Sequence, residues 1–159
     1  MDDQDRAHLV RCVDLAEQAV DTGNAPFGSM LVAADGRVLF EDYNRISGGD
    51  DTRHPEFEIA RWAAENIARA DRATATVYTS GEHCPMCSAA HAWVGLGRIV
   101  YAGSSAQLTA WLKEVGGPMP PINVLPVGDI IPDAVVEGPE PSLAARLKAL
   151  HQRWAAKRR

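Results

Sequence analysis

Two short stretches hold the groups that bind metals and move protons: His54-Pro55-Glu56 and His83-Cys84-Pro85-Met86-Cys87. Zinc takes imidazole nitrogen and thiolate sulfur tetrahedrally, and a catalytic site supplies three protein ligands so that the fourth position can hold water. His54, Cys84 and Cys87 make such a set. The metal brings the pKa of that water from roughly 15.7 toward about 7, so that a hydroxide can attack an electron-poor amidine carbon at neutral pH. A carboxylate must then collect the water's proton and return it to a ring nitrogen and the leaving amine. Glu56 lies next but one to His54, close enough to face the same water without ligating the metal.

Other chemistry is open to the same residues. A lone Cys-x-x-Cys serves redox exchange or half of a structural zinc site. His91, on the helical run after Cys87, or His83 would complete a closed Cys2His2 site with Cys84, Cys87 and His54, a structural module without activity. Against the closed site, it gives no reason for Glu56 beside His54, and Met86, Ala89, Ala90 and Trp93 surround His91 with core-like residues.

Elements at both ends must bring the two stretches together. Pro55 and Pro85 each suit the first position of a helix, which puts Glu56 and Cys87 in first turns whose N–H groups and dipoles favour negative charge and thiolate formation. The first of these helices, marked by Phe57, Ala60, Ala63, Ala64 and Ile67, is predicted to run to about Ala70, and a strand follows over 75–79. About 15 helical residues rise roughly 22 Å and about six strand residues cover roughly 20 Å on the way back, so the second motif returns to the level of the first.

Around this pair, Leu9, Val13, Ala16 and Val20 make the apolar stripe of a first helix ending near Gly23 and Asn24. Strands are predicted over 27–33 and 37–43, joined at Asp35-Gly36. After the Pro85 helix come a strand over 98–102 and a helix over 106–115. Residues 116–141 are rich in Gly and Pro, with one strand expected over 122–127, and Leu143, Leu147, Leu150 and Trp154 mark a final helix. Strand and helix alternate from the second helix onward, the pattern of parallel crossovers, and the expected fold is a three-layer α/β/α domain with a mixed, mainly parallel five-stranded sheet.

A chain of 159 residues fits a single domain, 1–159, with a core large enough to enclose a pocket. The net charge of −5 argues against a broad phosphate-binding face, which makes nucleic acid an unfavoured partner and a small or uncharged molecule a favoured one. No apolar run is long enough for a membrane span, and the acidic start MDDQDRAH is unlike a leader peptide, so a cytoplasmic location is expected. Three cysteines argue against a disulfide framework, and Cys12, among apolar residues, reads as core. The terminal Lys157, Arg158 and Arg159 read as solvating the last helix end.

With these motifs in place the chain resembles the cytidine and nucleotide deaminase superfamily, in the branch of guanine deaminases and bacterial tRNA adenosine deaminases. Asn24-Ala25-Pro26-Phe27-Gly28 resembles the entry to that family's first strand, and Tyr78-Thr79-Ser80-Gly81-Glu82 the strand into its cysteine motif. Arg98-Ile99-Val100-Tyr101-Ala102 resembles the strand that follows. The resemblance implies zinc on His54, Cys84 and Cys87, Glu56 as proton shuttle, Asn44 as a hydrogen-bond partner of the substrate ring or its carbonyl, Phe27 as a pocket wall, and a homodimer. Pro55 replaces the family's alanine and His83 its proline, and both are candidates for altered substrate contact.

The likeness fades after residue 105, where Trp111, Glu114 and the helix within 142–159 are expected to build a pocket of their own, the last helping to close the site. The implied activity is hydrolytic release of ammonia from a free nucleobase or related amino heterocycle, guanine-like, cytosine-like or an aminotriazine. The alternatives are a tRNA adenosine deaminase and a non-enzymatic structural zinc module. Residues 41–60 carry Glu41, Asp42, Asp50, Asp51, Glu56 and Glu58 against only Arg45 and Arg53, which disfavours a polyanion.

Overall fold

Five strands, β1 (Gly28–Val32), β2 (Val38–Tyr43), β3 (Thr76–Gly81), β4 (Ile99–Gly103) and β5 (Val136–Glu137), pair in the order β2-β1-β3-β4-β5 in the computed structural model, which describes residues 1–158. β1 runs antiparallel to both β2 and β3, whereas β3–β4 and β4–β5 are parallel. The sheet is thus mixed, its pairings divided evenly between the two senses.

Helices cover both faces. On one face α1 (Asp3–Asp21), opened by a reciprocal cap between Asp2 and Asp5, lays Leu9, Cys12, Val13 and Ala16 against Met30, Tyr78 and Val100. Cys12 is therefore a core residue, fully buried. Close approach here depends on Gly28, because a Cβ at that position would strike Leu15 and the backbone of Cys12. The last helix, α7 (Ala144–Ala156), adds Leu147 and Leu150 to the same core. On the other face α2 (Pro55–Asn66) and α4 (Pro85–Val94) lie side by side, with Ile59, Ala60 and Ala63 against Leu31 and Val77. Each fully buried Leu, Ile or Val contributes on the order of 1.5–3 kcal/mol, so these two cores hold the helix starts in place.

Two predicted elements differ. Helix α2 does not reach Ala70: Ile67 turns extended, and the chain resumes as a short α3 (Arg69–Arg72). Arg72 makes the break tolerable by donating to the carbonyls of Ala64, Ile67 and Val94, which would otherwise lack partners. Residues 122–127 form no strand, since Pro120, Pro121 and Pro126 remove donors that a ladder needs. Val127 instead starts a one-turn helix, α6 (Val127–Ile130), and the fifth strand is the later β5.

At the C-terminal end Arg153 pairs with Asp21, and the Arg158 guanidinium lies over the Trp154 ring. Arg159, read from sequence with the basic end, lies outside the described residues. Among the described residues no helix is long and apolar enough to cross a membrane.

Candidate active site

His54 is the residue before the first turn of α2 and Cys84 the residue before the first turn of α4, each followed by a proline whose missing N–H costs the helix nothing there. Both helix starts therefore converge at one end of the sheet. His54 Nδ1 lies 3.7 Å from Cys84 Sγ and 3.6 Å from Cys87 Sγ, and the sulfurs are 3.5 Å apart. Bond lengths of about 2.3 Å to sulfur and about 2.0–2.1 Å to nitrogen give a tetrahedral zinc site edges of roughly 3.8 Å (S–S) and roughly 3.6 Å (N–S). The triangle already has the size of one face of that tetrahedron, so the donor set fits zinc.

The charges agree with the geometry. Hydrogen bonding with Cys87, and then with His54, holds the Cys84 thiol down to about 4 despite burial. Cys87 is pushed up by its contact with Cys84 and by burial. Burial pulls His54 down, but its bond to Cys84 and the nearby Glu56 more than offset that and leave it raised.

Glu56, in the first turn of α2, is 5% exposed. Its Oε1 accepts from Thr79 Oγ1 at 2.6 Å and Ser29 Oγ at 3.1 Å, two hydroxyls on the neighbouring strands β3 and β1 that are themselves 2.9 Å apart. Oε2 has no such anchor and lies 3.9 Å from Cys87 Sγ, on the metal side. Burial raises the carboxyl above its usual range, while His54 and the Thr79 bond oppose the rise. The arrangement fixes one carboxylate oxygen and leaves the other facing the ligands.

A small cavity is lined by Phe27, Gly81, Ser104, Leu108, Trp111 and His151, and none of His54, Glu56, Cys84 or Cys87 is among its lining residues. The Phe27 ring stacks toward His54, centroids 6.5 Å apart, and meets the edge of His151 at 5.4 Å. Gly81 is required, because a Cβ there would come within 2.8 Å of the Phe27 ring. Asn44, at the end of β2, is 1% exposed, and its Oδ1 takes the N–H groups of Ala25 and Ile46. Since those partners are donors, the amide orientation is set, and Nδ2 is buried with no acceptor.

Other predicted positions fall differently. Pro55 is buried at the start of α2, and Trp111 lines the pocket. His83 is 1% exposed and packs edge-on against His91, ring centroids 5.3 Å apart, with neither ring nitrogen bonded. It is a buried residue. Glu114 does not join the site: it is half-exposed at the end of α5 (Ser105–Glu114) and paired with Lys148 of α7. His91 does not join either, because its Nε2 bonds the Gly97 carbonyl at 2.8 Å, closing the turn after α4. Among the described residues, His54, Cys84 and Cys87 are the cluster whose ligand atoms lie within 4.8 Å of one another.

Ser29, Thr79 and His151 are not among the site residues read from the sequence. Thr79 and Ser29 carry no signal beyond strand propensity. His151 falls on the apolar stripe of the last helix, where it reads as core.

Comparison with known proteins agrees with this centre. The family model described as the cytidine and deoxycytidylate deaminase zinc-binding region matches residues 2–103. A probable cytosine deaminase of Schizosaccharomyces pombe is 32% identical over 124 residues, covering 78% of this chain and 75% of that protein. A guanine deaminase of Bacillus subtilis is 34% identical over 96 residues, covering 59% of this chain and 61% of that protein. Among solved structures, the guanine deaminase from Nitrosomonas europaea superposes with a TM-score of 0.71 over 94% of this chain and 84% of its own, at 21% identity, a likeness of fold alone.

Proposed function

Because the chain belongs to the cytidine and deoxycytidylate deaminase zinc-binding family, we propose that it releases ammonia from a free nucleobase or closely related amino heterocycle, with Glu56 carrying the protons. One observation supports the substrate class above the others: Phe27, whose ring stacks toward His54, shares a small cavity with Trp111 and His151, and no Lys or Arg is among that cavity's described lining residues. Glu82, its one acid, is spent on the backbone N–H groups of Ser105 and Val127. Nearby, Arg45 is paired with Asp42 and Arg53 with Glu58, which leaves neither cation free for a phosphate. An uncharged planar ring suits these walls better than a structured polyanion does.

His54, Cys84 and Cys87 would hold zinc, which would supply a water acidic enough to act as nucleophile at neutral pH. Asn44 presents its free Nδ2 donor, so it pairs with an acceptor on the substrate, a ring nitrogen or carbonyl. Glu56 takes a proton from the attacking water on Oε2 and passes it to the ring nitrogen beside the attacked carbon. Glu56 then moves the remaining proton of that water, from the hydroxyl now on carbon, to the amine, which departs as ammonia and leaves a carbonyl. The C-terminal helix α7, which brings His151 to the pocket, belongs to the closed site in this reading.

Thr79 follows as a positioning residue. Thr79→Val removes the 2.6 Å bond to Oε1 while keeping the side chain's shape, and a bond to a charged group contributes about 1.5–3 kcal/mol. The expected result is a fall in kcat of roughly ten- to a hundredfold with zinc content unchanged and KM within about threefold, and Thr79→Ser recovers most of the loss. Equal kcat in Thr79→Val and wild type would remove this role.

The substrate class is tested by ammonia release from guanine, cytosine, isocytosine, adenine, aminotriazines, their nucleosides and a tRNA anticodon stem-loop. Turnover of at least one free base or triazine above the stem-loop is expected. Turnover of the stem-loop with none of the free bases sinks the proposal in favour of RNA editing, and activity confined to nucleosides transfers it to a ribose-binding pocket.

A further inference from the structure

We propose that Asn24 is a positioning residue, which fixes the amide of Asn44 so that its Nδ2 faces the substrate. This rests on the Asn44 contact proposed above and extends it to a buried residue just beyond the end of α1. Asn44 Oδ1 accepts from Ala25 N and Ile46 N, both at 3.3 Å, and these donors sit on separate segments, one after α1 and one after β2. The amide keeps its direction only while both donors stay in place. Asn24 ties the same two segments together. Its Oδ1 accepts from Ser47 N at 2.7 Å, and its Nδ2 donates to Thr22 Oγ1 at 3.1 Å.

The two asparagines are reciprocal. Asn24 is next to Ala25 and Ser47 is next to Ile46, so each end of the Asn24–Ser47 bond is one residue from a donor to Asn44. The shorter bond therefore sets the separation of the two donors on which the longer bonds depend. Asn24 is 4% exposed and Asn44 1%, so water does not compete strongly for either amide. Other ties act elsewhere: Asn44 N donates to the Phe27 carbonyl and holds the Asn44 backbone, and Arg45 N donates to the Arg53 carbonyl across the base of the following loop. Ala25, Phe27 and Ile46 share an apolar cluster, but apolar contact is non-directional. The hydrogen bond from Ser47 supplies the direction.

The test measures ammonia release, zinc content and Tm for wild type, Asn24→Ala, Asn24→Leu, Asn24→Asp, Asn44→Ala and the Asn24→Ala, Asn44→Ala double variant. The substrate is the free base or triazine of the panel above that wild type turns over fastest. Asn24→Ala, and Asn24→Leu, which fills the space without an acceptor, are expected to raise KM at least about tenfold with zinc unchanged. Since the Asn44 bond is made in ground and transition states alike, kcat should stay within about threefold. Asn24→Asp keeps the acceptor for Ser47 and is expected to hold KM within about threefold of wild type. With Asn44→Ala already present, Asn24→Ala should shift KM by less than about twofold while still lowering Tm, because the group it positions is gone. An unchanged KM in Asn24→Ala or Asn24→Leu, or an equal rise with and without Asn44, overturns the role of Asn24 and leaves the heterocycle reading standing. An unchanged KM in Asn44→Ala removes the Asn44 contact and this proposal with it. Wild type that deaminates no free base or triazine removes the substrate reading as well.

Discussion

Glu56→Ala is expected to lose at least about a hundredfold in ammonia release while keeping its zinc and its fold, the usual scale for a general acid/base. The carboxylate contributes no ligand atom to the cluster of His54, Cys84 and Cys87, so metal content has no reason to change. It is buried and held by Thr79 and Ser29, so its loss exposes no charge and leaves two hydroxyls that can bond each other across 2.9 Å. Tm should therefore move little, and burial of a carboxyl that is already raised argues for a small gain rather than a loss. Glu56→Gln sharpens the measurement. It keeps the shape and the Oε1 contacts but cannot collect a proton, and a loss comparable to Glu56→Ala is expected. Substantial turnover in either variant would mean that the proton travels elsewhere.

The second large effect is on the metal. Cys84→Ala removes the thiol held down to about 4 and leaves Cys87 and His54 as two donors, too few for a stable site. Zinc measured on the purified protein is expected to fall from about one per chain to a small fraction, with activity lost and Tm lowered, because metal binding energy is folding energy. His91→Ala serves as the counterpart and should keep its zinc, since His91 is engaged with the Gly97 carbonyl. Binding must also displace the proton that Cys87, pushed up by Cys84 and burial, retains at neutral pH. Zinc is accordingly held more tightly as pH rises and released as it falls. Zinc retained in Cys84→Ala, or lost in His91→Ala, would exchange the two residues' roles.

The metal centre was legible because its chemistry is written locally. Pro55 and Pro85 mark helix starts, the ligands sit at those starts, and a helix followed by a strand returns the chain to the same level. The sheet was legible from alternating elements, but residues 122–127 were misread as a strand, because their apolar residues are interrupted and flanked by Pro121 and Pro126, which no ladder accepts. The pocket was least legible. Glu114 shares α5 with Trp111, yet the helix turns it toward Lys148 and away from the cavity. His151 carries no local mark at all: its position is set by α7 packing across α1 and α5, a long-range consequence of Leu147 and Leu150 entering the core. Likewise the hold of Thr79 on Glu56 needs β3 beside α2, which no spacing in the chain announces.

The most direct test of an open, catalytic zinc is X-ray absorption at the zinc edge of the purified protein. Two sulfurs near about 2.3 Å, two lighter atoms near about 2.0–2.1 Å and the outer-shell scattering of a single imidazole are expected, the remaining light atom coming from solvent. Scattering from two imidazoles with no position left for solvent would contradict the account and make the centre a closed Cys2His2 structural site.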